Sequence, residues 1–191
     1  MTYPVHTETT APENARAILA QAKGKFGFIP NLLGTMANAP ALLKSYLTLA
    51  QIFEETSLTP TEQQIVLLAA SYSNGCTYCI AAHTVIAGMK NVPAEVVASL
   101  RNNKPIKDAK LEALRLFAFD VTEKRGHPSE ESLKRFLAAG YTPVQVLEVV
   151  LGVGFKTLSN YTNHLTKTQL DSAFSNAIWT EAKQECACCC A

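Results

Sequence analysis

Apolar residues recur at helical spacing along almost the whole of this 191-residue chain, and alternating runs rich in Val, Ile, Thr and aromatics are missing. That pattern predicts an all-α fold, a helical bundle of about 8–9 helices. The punctuation agrees. Thr10-Ala11-Pro12-Glu13, Thr59-Pro60-Thr61-Glu62 and Thr142-Pro143-Val144-Gln145 each set a hydroxyl three residues ahead of an acid or amide that can bond back to it. In the last two, proline takes the first helical position, where its missing N–H costs nothing.

Helices are expected at about 11–23, 40–54, 60–73, 76–88, 93–102, 108–125, 129–139 and 143–162, with a further one near 168–184. Between the first two, Lys23-Gly24-Lys25-Phe26-Gly27-Phe28-Ile29-Pro30-Asn31 mixes Gly and Pro with apolar residues and reads as a connection packed on the core. The segments opening at Thr59-Pro60 and Thr142-Pro143 each begin an apolar helix and are followed by a polar cluster that ends in histidine, His83 and His164. They read equally as a diverged internal duplication or as two core helices made by the same capping rules. The domain reading is one helical domain over residues 1–185 and a cysteine-rich tail over 186–191.

The length suffices for one domain with a sizeable core. A formal charge of +1 from scattered Lys and Arg leaves no basic stripe, so nucleic acid is not an expected partner. Met1-Thr2-Tyr3-Pro4-Val5-His6-Thr7-Glu8 lacks a basic and then apolar leader, and no later stretch is apolar for a bilayer's width. A soluble, cytoplasmic protein with no membrane partner is expected. In a reducing compartment six cysteines are not a disulfide framework by default. Two of them form Cys76-Thr77-Tyr78-Cys79, and four crowd Cys186-Ala187-Cys188-Cys189-Cys190.

The chemistry concentrates in Asn74-Gly75-Cys76-Thr77-Tyr78-Cys79-Ile80-Ala81-Ala82-His83. On a helix, Cys76 and Cys79 at i, i+3 and Cys79 and His83 at i, i+4 share one face. Asn74-Gly75 is turn chemistry, which places Cys76 in the first helical turn, where free N–H groups and the helix dipole favour a thiolate. His83 can take the proton of Cys79 or stabilise its anion. A thiolate that attacks a peroxide becomes a sulfenic acid, which a neighbouring thiol converts to a disulfide for an external dithiol to reduce. The residues alone leave open which cysteine attacks: the helix start favours Cys76 and the histidine favours Cys79. Two other readings of the pair are half of a zinc site and small core residues that merely pack.

At these residues the sequence resembles the AhpD-like alkylhydroperoxidases of the carboxymuconolactone decarboxylase superfamily. The resemblance is carried by Leu58-Thr59-Pro60-Thr61-Glu62-Gln63-Gln64-Ile65-Val66, by Asn74 through Cys79, and by Ala81-Ala82-His83. Gly27-Phe28-Ile29-Pro30-Asn31 and Pro40 look like the peroxidase-related branch, so it spans roughly residues 23–175. It implies an all-helical fold assembling as homotrimers or homohexamers, with no cofactor. It also implies a hydroperoxide substrate and an external thiol or dithiol reductant. By position, Cys79 is then peroxidatic, Cys76 resolving and His83 the relay base.

The chain departs from that pattern twice. A relay glutamate is replaced by Gln64, whose amide does not pass on a proton as a carboxylate does. Glu62 is two residues away, about 200° around a helix, and fits the capping box instead. Between the cysteines stands Tyr78, a poor base at neutral pH, that either holds a water or packs.

Asn160-Tyr161-Thr162-Asn163-His164 closes a long apolar helix and reads either as a polar wall of the site, with His164 in the relay, or as a polar helix end at a subunit contact. The four tail cysteines suit soft-metal binding or exchange with a Cys76–Cys79 disulfide, or are a dispensable terminus. The leading expectation is a thiol-dependent peroxidase or disulfide reductase. Its rivals are a soft-metal or metalloid binder using the Cys pair and tail, and a lactone-acting enzyme with His83 as base.

Overall fold

The computed structural model describes residues 2–180, which contain helices and no strand. Nine α-helices follow in order: α1 (Glu13–Phe26), α2 (Asn31–Met36), α3 (Pro40–Glu54), α4 (Pro60–Ser73), α5 (Thr77–Met89), α6 (Ala94–Arg101), α7 (Ala109–Glu123), α8 (Glu130–Ala138) and α9 (Pro143–Thr166). A 3-10 helix, Ser172–Ala177, follows α9. The all-α expectation holds. Among the described residues no single helix is long and apolar enough to cross a membrane. The tail from Cys186 to Cys190 lies outside the described residues.

The bundle is built around α4, which packs against α7, α9, α5 and α6. Every residue from Glu62 to Ser71 is buried, so the helix has no solvent face and its polar residues must find partners inside. The capping boxes at Thr59 and Thr142 form as the sequence predicts, each hydroxyl accepting from the backbone of the third helical residue, Glu62 or Gln145, whose side chain accepts in return. The box expected at Thr10 does not. Pro12 is the N-cap of α1, and the Thr10 hydroxyl instead accepts from the Thr7 N–H at 2.9 Å.

Three further expectations are corrected. α1 runs through Gly24 to Phe26 and stops on Gly27, whose φ of 80° is the left-handed conformation that a glycine adopts without a Cβ clash. The supposed connection therefore contains the end of α1 and the start of α2, with Phe28 and Ile29 packed on the core between them. The helix expected near 168–184 is replaced, within the described residues, by the short 3-10 helix after a left-handed Lys167 at φ 52°. Cys76 lies just outside the first turn of α5 as its N-cap, with φ −84°, ψ 94° and its N–H given to the Ser71 carbonyl.

α2 has no cap of its own. Asp171, 140 residues further on, accepts the Asn31 N–H at 3.0 Å and also the Tyr78 hydroxyl at 2.6 Å. This buried carboxylate ties the segment after α9 to α2 and to the start of α5. Tyr78 accordingly packs, edge-on to Phe174. Burial and the neighbouring Asp171 carboxylate push its phenol pKa well up. Replacing Tyr78 by Phe leaves a buried carboxylate short of a donor, and denaturant unfolding is expected to show a loss of about 1–3 kcal/mol.

α9 has two characters. Its inner side meets α3 and α4 at a close junction: a Cβ on Gly152 would lie 2.7 Å from the Phe53 ring and 2.8 Å from Val66. Phe53 and Tyr46 pack beside Phe155 there. Its outer side exposes Val144, Leu147, Val150, Tyr161 and Leu165.

Candidate active site

Cys76, Cys79 and His83 are presented by the turn before α5 and its first two turns. Gly75, at φ 63°, makes the reversal out of α4 possible, and Asn74 secures it by donating to the Asn160 side-chain oxygen at 2.9 Å. Both cysteines are free thiols and buried, 1% and 2% exposed. The inner face of α9 closes over them with Lys156, Ser159, Asn160 and Asn163, at i, i+3, i+4 and i+7.

Asn163 donates from Nδ2 to the Cys79 sulfur at 3.2 Å and lies 3.7 Å from that of Cys76. The Ser159 hydroxyl is 3.7 Å from Cys79 and itself donates to the Lys156 carbonyl at 2.9 Å. Among the described residues the buried Oδ1 of Asn163 has no hydrogen-bond partner.

The two thiols are electrostatically unlike. Burial raises the pKa of Cys79, but the hydrogen bond from Cys76, the charge of Lys156 and the polar groups of Ser159 and Asn160 together bring it down to about 5. Cys76 moves the other way. The hydrogen bond it gives to Cys79, its own burial and the charge on Cys79 hold its proton firmly in place. The surroundings thus favour the charge on Cys79 and the proton on Cys76.

His83 stands one turn beyond Cys79, and its Nδ1 is 2.9 Å from the Oε1 of Gln64, which is 2% exposed. With that nitrogen donating, Nε2 keeps its lone pair. Burial, then the charges of Lys156 and Lys90, pull the His83 pKa well below the ordinary histidine range, so the ring is neutral at physiological pH.

The other expected residues divide. Gln64 faces the site, whereas Glu62 closes the capping box, its Oε2 accepting from the Thr59 N–H at 2.8 Å. Lys110 approaches the other Glu62 oxygen at 3.7 Å. Tyr78 is directed to Asp171 rather than to the sulfurs. His164 is exposed beside Tyr161 on the outer part of α9, so it takes no place in the arrangement around the cysteines. Of the polar cluster at that helix end, Asn160 and Asn163 turn inward and His164 does not.

Among the described residues no group of three or more His, Cys, Asp and Glu side chains gathers as metal ligands do. Lys156 and Tyr46 escaped the sequence reading. The signal for Lys156 was present: a lysine one turn ahead of Ser159 and Asn160, in the register that buries Val149 and Gly152.

Known proteins share this architecture. The structure of an alkylhydroperoxidase AhpD core, an uncharacterized peroxidase-related protein from Ralstonia eutropha JMP134, matches with a TM-score of 0.79 at 22% identity over 90% of this chain and 93% of that one. A peroxidase-related protein from Silicibacter sp. TM1040 matches with 0.76 at 17% identity, covering 91% and 92%. The debrominase Bmp8 in its apo form matches with 0.72 at 20% identity, covering 86% and 90%. At these identities the likeness is one of fold. No curated protein matches the sequence significantly. The carboxymuconolactone decarboxylase family model matches residues 40–118, the stretch that runs from α3 into α7 and holds both cysteines and His83. Residues 40–118 thus match the carboxymuconolactone decarboxylase family, and the helices around that core are arranged as in AhpD-like proteins.

Proposed function

We propose that the protein is a thiol-dependent peroxidase of the alkylhydroperoxidase type, with Cys79 attacking, Cys76 resolving and His83 moving protons. The observation that carries the reading is the geometry of the pair: two buried free thiols side by side, the Asn163 amide donating to Cys79 at 3.2 Å, with surroundings that favour the charge on Cys79 and the proton on Cys76. The Cys79 thiolate attacks one peroxide oxygen, the O–O bond breaks, and the departing alkoxide takes a proton from solvent to leave as an alcohol. Cys79 is then a sulfenic acid. Cys76 loses its proton and attacks the Cys79 sulfur, the S–S bond forms and water departs. An external dithiol supplies the two electrons that restore the pair.

His83, neutral and with Nε2 free, suits the transfer of the Cys76 proton to the departing oxygen. Gln64 orients that ring without offering a charge, so the relay here is a histidine held by an amide. The unpartnered Asn163 Oδ1 is an acceptor that a hydroperoxide O–H can meet. Assembly into a homotrimer or homohexamer belongs to the same reading, and the exposed apolar side chains of α9 are surface such a contact would cover.

The likeness to Bmp8, also solved as a variant in complex with 2,3,4-tribromopyrrole, favours a second reading, reductive debromination. The same dithiol would give two electrons: hydrogen replaces bromine on carbon, bromide leaves and the disulfide forms.

One experiment tests both. The reduced protein is mixed with hydrogen peroxide, an organic hydroperoxide or 2,3,4-tribromopyrrole, and its cysteines are mapped by mass spectrometry. A Cys76–Cys79 disulfide formed within the turnover time with a hydroperoxide is the expected result. Formation with the bromopyrrole alone selects the second reading, and a dithiol inert to all three sinks both. A lactone-acting enzyme would instead keep its activity after loss of both cysteines.

A further inference from the structure

Lys156 is 1% exposed, in the middle of the bundle. None of the ion pairs among the described residues includes it. Taking an ammonium out of water with no counter-charge is strongly unfavourable, so a buried lysine either sheds its proton or finds an anion. Its position limits the choice of anion. Ser159 and Asn163, one and two turns further on the same face of α9, reach the Cys79 sulfur at 3.7 and 3.2 Å. The Lys156 ammonium itself interacts with Cys79 and lies near Tyr46 and Cys76.

The groups that face Cys79 can be named element by element. Cys76 comes from the turn before α5, Tyr46 from α3 and Lys156 from α9, while on α5 itself His83 stands one turn further on and Tyr78 is turned away to the Asp171 carboxylate. Tyr46 is a buried phenol, neutral at physiological pH because burial raises its pKa. His83 is held neutral, in part by Lys156 itself. That leaves a single positive charge and a single acidic thiol facing each other in a dry site.

We infer that Lys156 is the counter-charge of the Cys79 thiolate: a buried ammonium on α9 and a buried thiolate on α5, each the condition for the other's being charged. Forming the Cys76–Cys79 disulfide discharges the sulfur and strands the ammonium, so the pair favours the reduced dithiol. The inference rests on the reading of Cys79 as the attacking thiolate, but its test uses no peroxide.

The test is the pH titration of thiolate ultraviolet absorbance in the full-length reduced protein. The wild type is expected to titrate with a midpoint near 5. Lys156→Met should raise that midpoint by about two units or more, a hundredfold loss of thiolate stabilisation. Lys156→Arg, which keeps the charge, should hold it low. A wild-type midpoint in the ordinary thiol range, or a Lys156→Met midpoint equal to that of the wild type, overturns the inference.

Should Lys156→Met fail to fold, the reciprocal variant decides. In Cys79→Ser the ammonium has lost its anion, and the Lys156 pKa, followed by nuclear magnetic resonance of isotope-labelled lysine, should fall well below its wild-type value. An unchanged Lys156 titration overturns the inference. A protein with the expected titrations that is inert to peroxide keeps this inference and loses only the proposed activity.

Discussion

Cys79→Ser is expected to reduce peroxide consumption to background, whereas Cys76→Ser should consume one equivalent per chain and then stop. The difference follows from the two thiols' unlike environments. The attacking group must be an anion while its oxygen acceptor approaches, and Cys79 is the sulfur whose pKa is brought down to about 5, whereas Cys76 is held protonated. A serine hydroxyl at position 79 stays protonated and does not attack. With serine at position 76 the first step survives, but no thiol condenses with the sulfenic acid, which a sulfenic-acid-specific reagent should trap on Cys79.

The pH dependence has a definite sign. A depressed pKa means that the thiolate is present above it, so the rate of the first step should be flat through neutrality and fall as pH drops through about 5. Stopped-flow peroxide consumption with both variants checks all of this. Roles exchanged between the two cysteines, or continued turnover in Cys76→Ser, would refute the assignment.

The largest stability effect is expected at the junction that holds α9 against α3 and α4. Phe53 is 1% exposed, and its ring lies against the space above Gly152. Phe53→Ala should cost about 3–5 kcal/mol in denaturant unfolding, the transfer free energy of the ring plus the cavity left behind. Gly152→Ala alone should cost about 1–3 kcal/mol, because its Cβ would lie 2.7 Å from the Phe53 ring and 2.8 Å from Val66 Cγ1.

The two substitutions should not add. With the ring gone, most of the obstacle to the new methyl is gone as well, and the double variant should be about 0.5–3 kcal/mol more stable than the sum of the single effects predicts. Additive costs would show that Gly152 matters for some reason other than the ring. The site depends on this junction, because Phe155 packs there on Tyr46 and Phe53, and Lys156 is the next residue on the same helix.

Much of the architecture was legible in the chain. The boxes at Thr59 and Thr142 mark helix starts because each bond they make closes within three residues. The i, i+4 spacing of Cys79 and His83 places them on one side of α5 for the same local reason, with Cys76 just ahead of it as the N-cap. The misreadings share the opposite cause. α2 was missed because its cap, Asp171, comes from 140 residues away. Gly24 looked like a stop, although the left-handed turn that ends α1 falls on Gly27. Which of its two readings Tyr78 would take, holding a water or packing, was likewise open, because its partner Asp171 lies 93 residues away.

Position in the chain thus settled that most of these helices form and that two thiols and a histidine gather at the start of one of them. Only the tertiary structure decided which groups surround each sulfur and what faces the histidine. Gln64 reaches His83 across 19 residues, and Ser159 and Asn163 reach Cys79 across 80 and 84. Helix formation is governed by neighbours within a turn or so, which the order of residues displays. The charge on a buried sulfur is governed by the dipoles and ammonium within a few ångströms of it, and those arrive only when α9 closes over α5.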